Sequence, residues 1–155
     1  MHSLEDLISE SPTFRGLHAG QIALIAGCGA NEQFAAGSML FREGDPADRF
    51  YLIREGTVAL QVQAPGQGEL VIETLHRGEV VGFSWLFHPH RWQFDARASE
   101  PTRVIAFDGV CLRGKCEADH ELGYELMRRF AWAITERLQA TRLQLLDVYG
   151  HGRRG

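Results

Sequence analysis

The segment Gly82-Phe83-Ser84-Trp85-Leu86-Phe87-His88-Pro89-His90-Arg91-Trp92 places four large aromatic rings, two imidazoles and a guanidinium within eleven residues. Three chemistries could use that set. Phe83, Trp85, Trp92 and the nearby Phe94 could stack on a flat or apolar ligand, with Arg91 and the N–H groups near Ser84 holding an anionic group. His88 and His90 could begin a metal site. The rings could also be core, filling space and recognising nothing. The metal reading is the poorest, because Asp95 alone lies nearby as a third ligand and no His-x-x-x-His or Cys-x-x-Cys pair supports it.

Catalytic patterns are lacking elsewhere. There is no Gly-x-x-x-x-Gly-Lys phosphate loop, no Ser-His-Asp ordering and no carboxylate pair in an evident cleft. Lys115 lies between Cys111 and Cys116 and could lower a thiol pKa, but a buried structural cysteine is the plainer reading. An enzyme is not expected.

The elements that must position these residues begin with one domain. A chain of 155 residues, 45% apolar and 23% charged, suits a single globular core. Its net charge of −4 gives no general attraction to nucleic acid or anionic lipid. No apolar run approaches the ~20 residues that span a bilayer, and the acidic start is unlike a signal peptide. Cys28, Cys111 and Cys116 form an odd, scattered set, so three reduced thiols in a cytoplasmic protein are expected.

The order reads helix, strands, helix. Ser3 should cap a short helix through Ile8, and a second helix should cover about Ala19 to Gly27, with Gly27 or Gly29 ending it at positive φ. Short β-rich runs follow at Leu40-Phe41, Phe50 to Ile53, Val58 to Val62, Leu70 to Leu75 and Arg103 to Phe107, separated by turn residues. That spacing predicts a mainly β, α+β fold with a jelly-roll-like barrel. A short helical segment near Val110 to Lys115 then leads to Asp119, which should cap a long helix to Val148 or Tyr149. The expected divisions are N-terminal helices in 1–31, a β-roll in 32–108, C-terminal helices in 109–149 and a basic tail in 150–155. Along the long helix, Met127, Phe130, Ile134, Leu138, Thr141, Leu145 and Val148 form one seam. So long a helix exceeds what a small barrel can cover, so part of the seam should meet a second copy in a homodimer.

The run from Gly37 through Glu43-Gly44-Asp45-Pro46 to Phe50-Tyr51-Leu52-Ile53-Arg54-Glu55-Gly56 resembles the β-hairpin signature of the cyclic nucleotide-binding domain family. Gly78-Glu79-Val80-Val81-Gly82 resembles that family's approach to its phosphate-binding cassette. Arg137-Leu138-Gln139-Ala140-Thr141 resembles the dimerisation helix of its catabolite-activator-like branch. The resemblance implies a double-stranded β-helix with N-terminal helices and a long C-terminal helix. It also implies a cyclic nucleotide, cyclic AMP or cyclic GMP, or another small anionic ligand. No helix-turn-helix is expected to follow, and so no direct contact with nucleic acid.

Carried over residue by residue, the resemblance places Gly82 at the cassette's glycine and Phe83 where a ribose-binding glutamate belongs. A phenyl ring accepts no hydroxyl hydrogen bond. The phosphate-binding arginine falls on Trp92 when counted back from Ala98, on His90 when counted back from Ala96, on Gln93 when counted forward from Gly82, and on Arg91, the best candidate, only with a one-residue shift. Thr141 matches a residue that touches the nucleobase. The candidate ligand-binding set is therefore Gly82, Phe83, Ser84, Trp85, Arg91, Trp92, Gln93 and Thr141. Three readings stay open: a pocket with an altered ligand, a pocket filled by its own rings and serving as a module for a partner protein, and weak binding of an ordinary cyclic nucleotide.

Overall fold

The computed structural model describes the backbone of residues 3–152 and the side chains of residues 3–147. Helix α1 spans Leu4–Glu10 and starts as its sequence predicts: the Ser3 hydroxyl accepts from the Asp6 N–H, and the Asp6 carboxylate accepts from the Ser3 N–H. Helix α2, Ala19–Ala26, uses a less obvious cap. Its His18 Nδ1 accepts from the Gln21 N–H, while the Gln21 side-chain Oε1 accepts from the His18 N–H. The expected left-handed glycine at its end is corrected, since Gly27 is right-handed (φ −63°) and Gly29 already begins the first strand.

Eight strands follow: β1 Gly29–Phe34, β2 Met39–Phe41, β3 Arg49–Glu55, β4 Val58–Ala64, β5 Gly68–Leu75, β6 Val80–Val81, β7 Asp95–Ala98 and β8 Thr102–Asp108. They form two four-stranded antiparallel sheets, ordered β1-β8-β3-β6 and β2-β7-β4-β5. The roll is thus two facing sheets, not a closed barrel. Four pieces escaped the periodicity, the first being β1, which starts at Gly29 inside the division expected to be helical. Strands β6 and β7 have two and four residues, and the one-turn 3₁₀ helix Ser84–Leu86 lies between them.

Alternation along the strands divides the apolar residues into two cores. Phe50 and Leu52 of β3, Val80 of β6 and Ile105 and Phe107 of β8 face the helices, where they meet Ile8, Phe14, Ile25, Leu112 and Phe130. Tyr51, Ile53, Val81, Val104 and Ala106 point the other way, into the space between the sheets, with Phe41, Val58, Leu60 and Leu75.

Helix α3, Gly109–Ala118, is capped by the Asp108 side chain. Helix α4 runs His120–Gly152, with Asp119 Oδ1 accepting from the Leu122 N–H as a cap should. It continues beyond the expected end at Tyr149, and residues 153–155 of the basic tail lie outside the described residues. Its seam divides. Phe130 is buried in the helix-side core, whereas Met127, Leu138 and Leu145 are exposed; the Val148 side chain lies outside the described residues.

The cysteine expectation is also corrected. Cys28 and Cys111 form a disulfide with their Cα atoms 5.9 Å apart, and only Cys116 is free. Spacing could not show the pair, because the fold brings the end of α2 against the first turn of α3. No helix among the described residues is long and apolar enough to cross a membrane.

Candidate functional site

The Gly82–Trp92 segment begins where the chain leaves β6, with Gly82 at φ +97°. That left-handed conformation favours glycine, and close approach requires it: a Cβ at Gly82 would collide with the Trp92 Cη2. The 3₁₀ turn then points Trp85 toward the helices. Trp85 is fully buried, stacked on Phe50 at 4.6 Å between ring centroids and edge-on to Phe130.

The far end of the segment is held by the Gly44-Asp45-Pro46 turn. The Trp92 N–H donates to the Asp45 carbonyl at 3.1 Å, the Gly44 N–H to the Trp92 carbonyl at 2.9 Å, and the Ala47 N–H to the His90 carbonyl at 2.7 Å. Pro46 and Arg91 are bridged as in a strand pair. Neighbouring residues in such a ladder take opposite faces. Trp92 goes inward, 3% exposed, and stacks on Phe41 with centroids 3.7 Å apart and planes 8° apart. Arg91 goes outward, where its Nη1 donates to the Gly44 carbonyl at 3.1 Å.

The candidate residues therefore lie in three places. Phe83 and Trp85 join the helix-side core, Trp92 and Phe94 the core between the sheets, and the four do not form one cage. Ser84 is half-buried, and its carbonyl accepts from the Phe87 N–H. Gln93 is exposed, with its Nε2 donating to the Arg91 carbonyl. Thr141 is exposed on α4, and its hydroxyl donates to the Arg137 carbonyl at 2.9 Å. The rings of His88 and His90 lie 6.2 Å apart, and no group of three His, Cys, Asp or Glu side chains among the described residues could hold a metal ion.

The residue that sequence reasoning passed over is Arg137. It lies seven positions beyond Phe130, on the same face of α4, so helical spacing was the available signal. Its guanidinium sits 5.0 Å from the Phe83 ring centroid, donates to the Val80 carbonyl and lies 3.8 Å from the Glu73 carboxylate. Burial lowers the Arg137 pKa, opposed by the Glu73 and Glu79 carboxylates. Burial raises that of Glu73, against the pull of Arg137. Phe83 in turn meets Phe130 at 5.7 Å. The Phe83 ring thus faces α4 and clamps it to the roll.

Beside Arg137, strand β5 and α4 stand apart. Val71, Ile72 and His76 face Arg137, Thr141 and Gln144 across an open cleft of about 460 Å³.

Comparison with known proteins agrees with this architecture. A candidate cyclic nucleotide-binding protein of Geobacter metallireducens superimposes with a TM-score of 0.79 at 32% identity, over 89% of this chain and 99% of that one. A cyclic nucleotide-binding domain of Methylobacillus flagellatus gives 0.80 at 19% identity, over 93% and 81%, and speaks for the fold alone. A CRP-like cAMP-activated global transcriptional regulator of Mycobacterium tuberculosis is 24% identical over 94% of this chain. The chain spans 63% of that relative's length. The cyclic nucleotide-binding domain profile itself matches residues 31–119, from β1 through α3, and on these grounds the chain belongs to the cyclic nucleotide-binding domain family.

Proposed function

We propose that this chain is a regulatory module of the cyclic nucleotide-binding fold whose cassette is filled by its own rings, so that it is neither a standard cyclic AMP receptor nor an enzyme. One observation carries the reading: Trp92 is packed between the sheets against Gly82 and Phe41. Counted back from Ala98, Trp92 stands at the family's phosphate-binding arginine, and Phe83 stands at its ribose-binding glutamate. Both polar anchors are thus replaced by buried or half-buried rings. The Arg91 guanidinium, turned to the Gly44 carbonyl, offers no replacement within the roll.

The output of such a module is α4. Its exposed Leu138 and Leu145 supply a homodimer seam, and a regulated partner protein would read the same helix. We place the module in the cytoplasm.

Thermal melting with millimolar cyclic AMP or cyclic GMP tests the reading. A ligand that binds only the folded state raises the melting temperature. No shift with either nucleotide is expected, and a clear rise with one of them would overturn the filled cassette.

A second reading has a specific observation in its favour. The cleft between β5 and α4 offers the Arg137 guanidinium, the His76 imidazole and the Thr141 hydroxyl beside Val71 and Ile72. The Glu73 carboxylate lines the same cleft and pairs with Arg137, so the set suits a small ligand with an apolar part and polar groups that meet both charges, an altered ligand held against α4.

A further inference from the structure

Helix α3 is fastened on several sides. Its Lys115 Nζ donates to the Leu24 carbonyl of α2 at 2.7 Å, and its Arg113 donates to the Trp85 carbonyl of the cassette turn. Asp119, which ends α3, also caps α4. The disulfide adds a covalent fastening, from Cys28 between α2 and β1 to Cys111 in the first turn of α3, across 83 positions of sequence.

The sulfur environments differ. Cys28 is buried at 8% exposed, while Cys111 is half-buried and is the side open to attack. Cys111 is the third residue of a ten-residue helix, and its N–H donates to the Asp108 carboxylate. The positive end of the helix dipole favours a Cys111 thiolate, against the nearby Asp108 carboxylate, and so helps Cys111 leave when the mixed disulfide resolves. Cys116 is the opposite case. Burial first, then the Asp119 and Glu117 carboxylates, raise its thiol pKa, leaving little thiolate near neutral pH.

We propose that Cys28–Cys111 is a thiol–disulfide exchange site whose opening frees α3 from α2 and loosens the seat of α4. A thiolate of an incoming dithiol attacks Cys111 Sγ, and the sulfur–sulfur bond breaks. Cys28 leaves as a thiolate and takes up a proton. The second thiol of the dithiol then attacks its own sulfur in the mixed disulfide and releases Cys111. Two electrons and two protons pass to the protein, and the dithiol becomes a cyclic disulfide. Cytosolic disulfides are commonly of this transient, responsive kind.

The full chain is equilibrated with oxidised glutathione and digested without reductant, and a second sample is treated with excess dithiothreitol. A peptide linking Cys28 to Cys111 is expected in the first sample only. The reduced protein should melt about 5–10 °C lower, the order expected for opening a long loop in a domain of this size. Hydrogen exchange should also rise in α4 over residues 120–137. The C28S/C111S double variant should match the reduced protein and ignore dithiothreitol, and C116S should respond as the parent does. Absence of the linked peptide would overturn the site. Unchanged α4 exchange on reduction would overturn the link to α4, whatever the melting temperature does.

Discussion

Gly82 and Trp92 are in such close contact that the indole lies where the first side-chain carbon of any other residue at position 82 would have to be. On the proposed cassette alignment, the glycine that would approach a ligand approaches a tryptophan instead. Gly82→Ala therefore meets both a ring collision and a φ of +97°. We expect a loss of about 2–4 kcal/mol in urea unfolding, from overpacking plus backbone strain. A variant as stable as the parent would mean that Trp92 is free to move away.

Restoring the family's polar pair should need two changes. Phe83→Glu alone leaves the Trp92 ring in place, and calorimetry with cyclic AMP should detect no binding. Phe83→Glu with Trp92→Arg returns a carboxylate and a guanidinium and removes the ring from the interior, so measurable binding is expected. Binding by the single variant would show that the space beside Gly82 opens unaided.

Arg137 fastens α4 through the Val80 carbonyl and the Phe83 ring. Arg137→Ala should cost about 2–4 kcal/mol, since a charge-assisted hydrogen bond and a half-buried cation–π contact vanish together. Arg137→Lys should recover little, because one ammonium cannot both reach the carbonyl and lie over the ring as the planar guanidinium does. Denaturant unfolding with the parent and both variants measures this, and full recovery by lysine would refute the two-contact geometry.

Much of the fold could be read from the residues because its signals were local. Ser3 with Asp6, and Asp119 before a long apolar stripe, announce helix starts through side-chain geometry that needs no partner. The β-runs from Phe50 and Val58 announce themselves by residue type. The site was harder. Trp85 and Trp92 are the same residue type seven positions apart, yet they enter opposite cores. What separates them is the pairing of Trp92 with Gly44 and Asp45, a contact across about fifty positions that no window of sequence contains. The Cys28–Cys111 bond was hidden for the same reason. His18 as a helix cap was hidden for another, because an imidazole caps only when its free nitrogen happens to face the helix.

The exposed half of the α4 seam sets the association test. Leu145 is 52% exposed in the single chain. Leu145→Glu should shift a sedimentation profile from dimer toward monomer by placing like charges face to face. Its melting temperature as a monomer should hardly change, because the residue touches no core. An unchanged profile would exclude this seam.

Cys116 gives a pH signature. Burial and neighbouring carboxylates hold its thiol above the ordinary cysteine value, so the reactive thiolate appears only at higher pH. Alkylation of the oxidised protein by iodoacetamide, followed by mass, should be slow at neutral pH, with a midpoint above that of a free thiol. A midpoint at or below the free-thiol value would contradict the burial of the sulfur.

Helix α4 is also a lever. Its 33 residues extend about 50 Å, and the portion beyond Arg137 accounts for roughly 22 Å of that. Pivoting by about 5° where Phe130 and Arg137 grip the roll would carry the far end about 2 Å sideways, on the same rise per residue. Repacking on the scale of a single side chain at Phe83 would therefore arrive at the tip enlarged. On the proposed reading, a module with a filled interior can still be a sensitive one, provided that what it senses is force or contact at the grip.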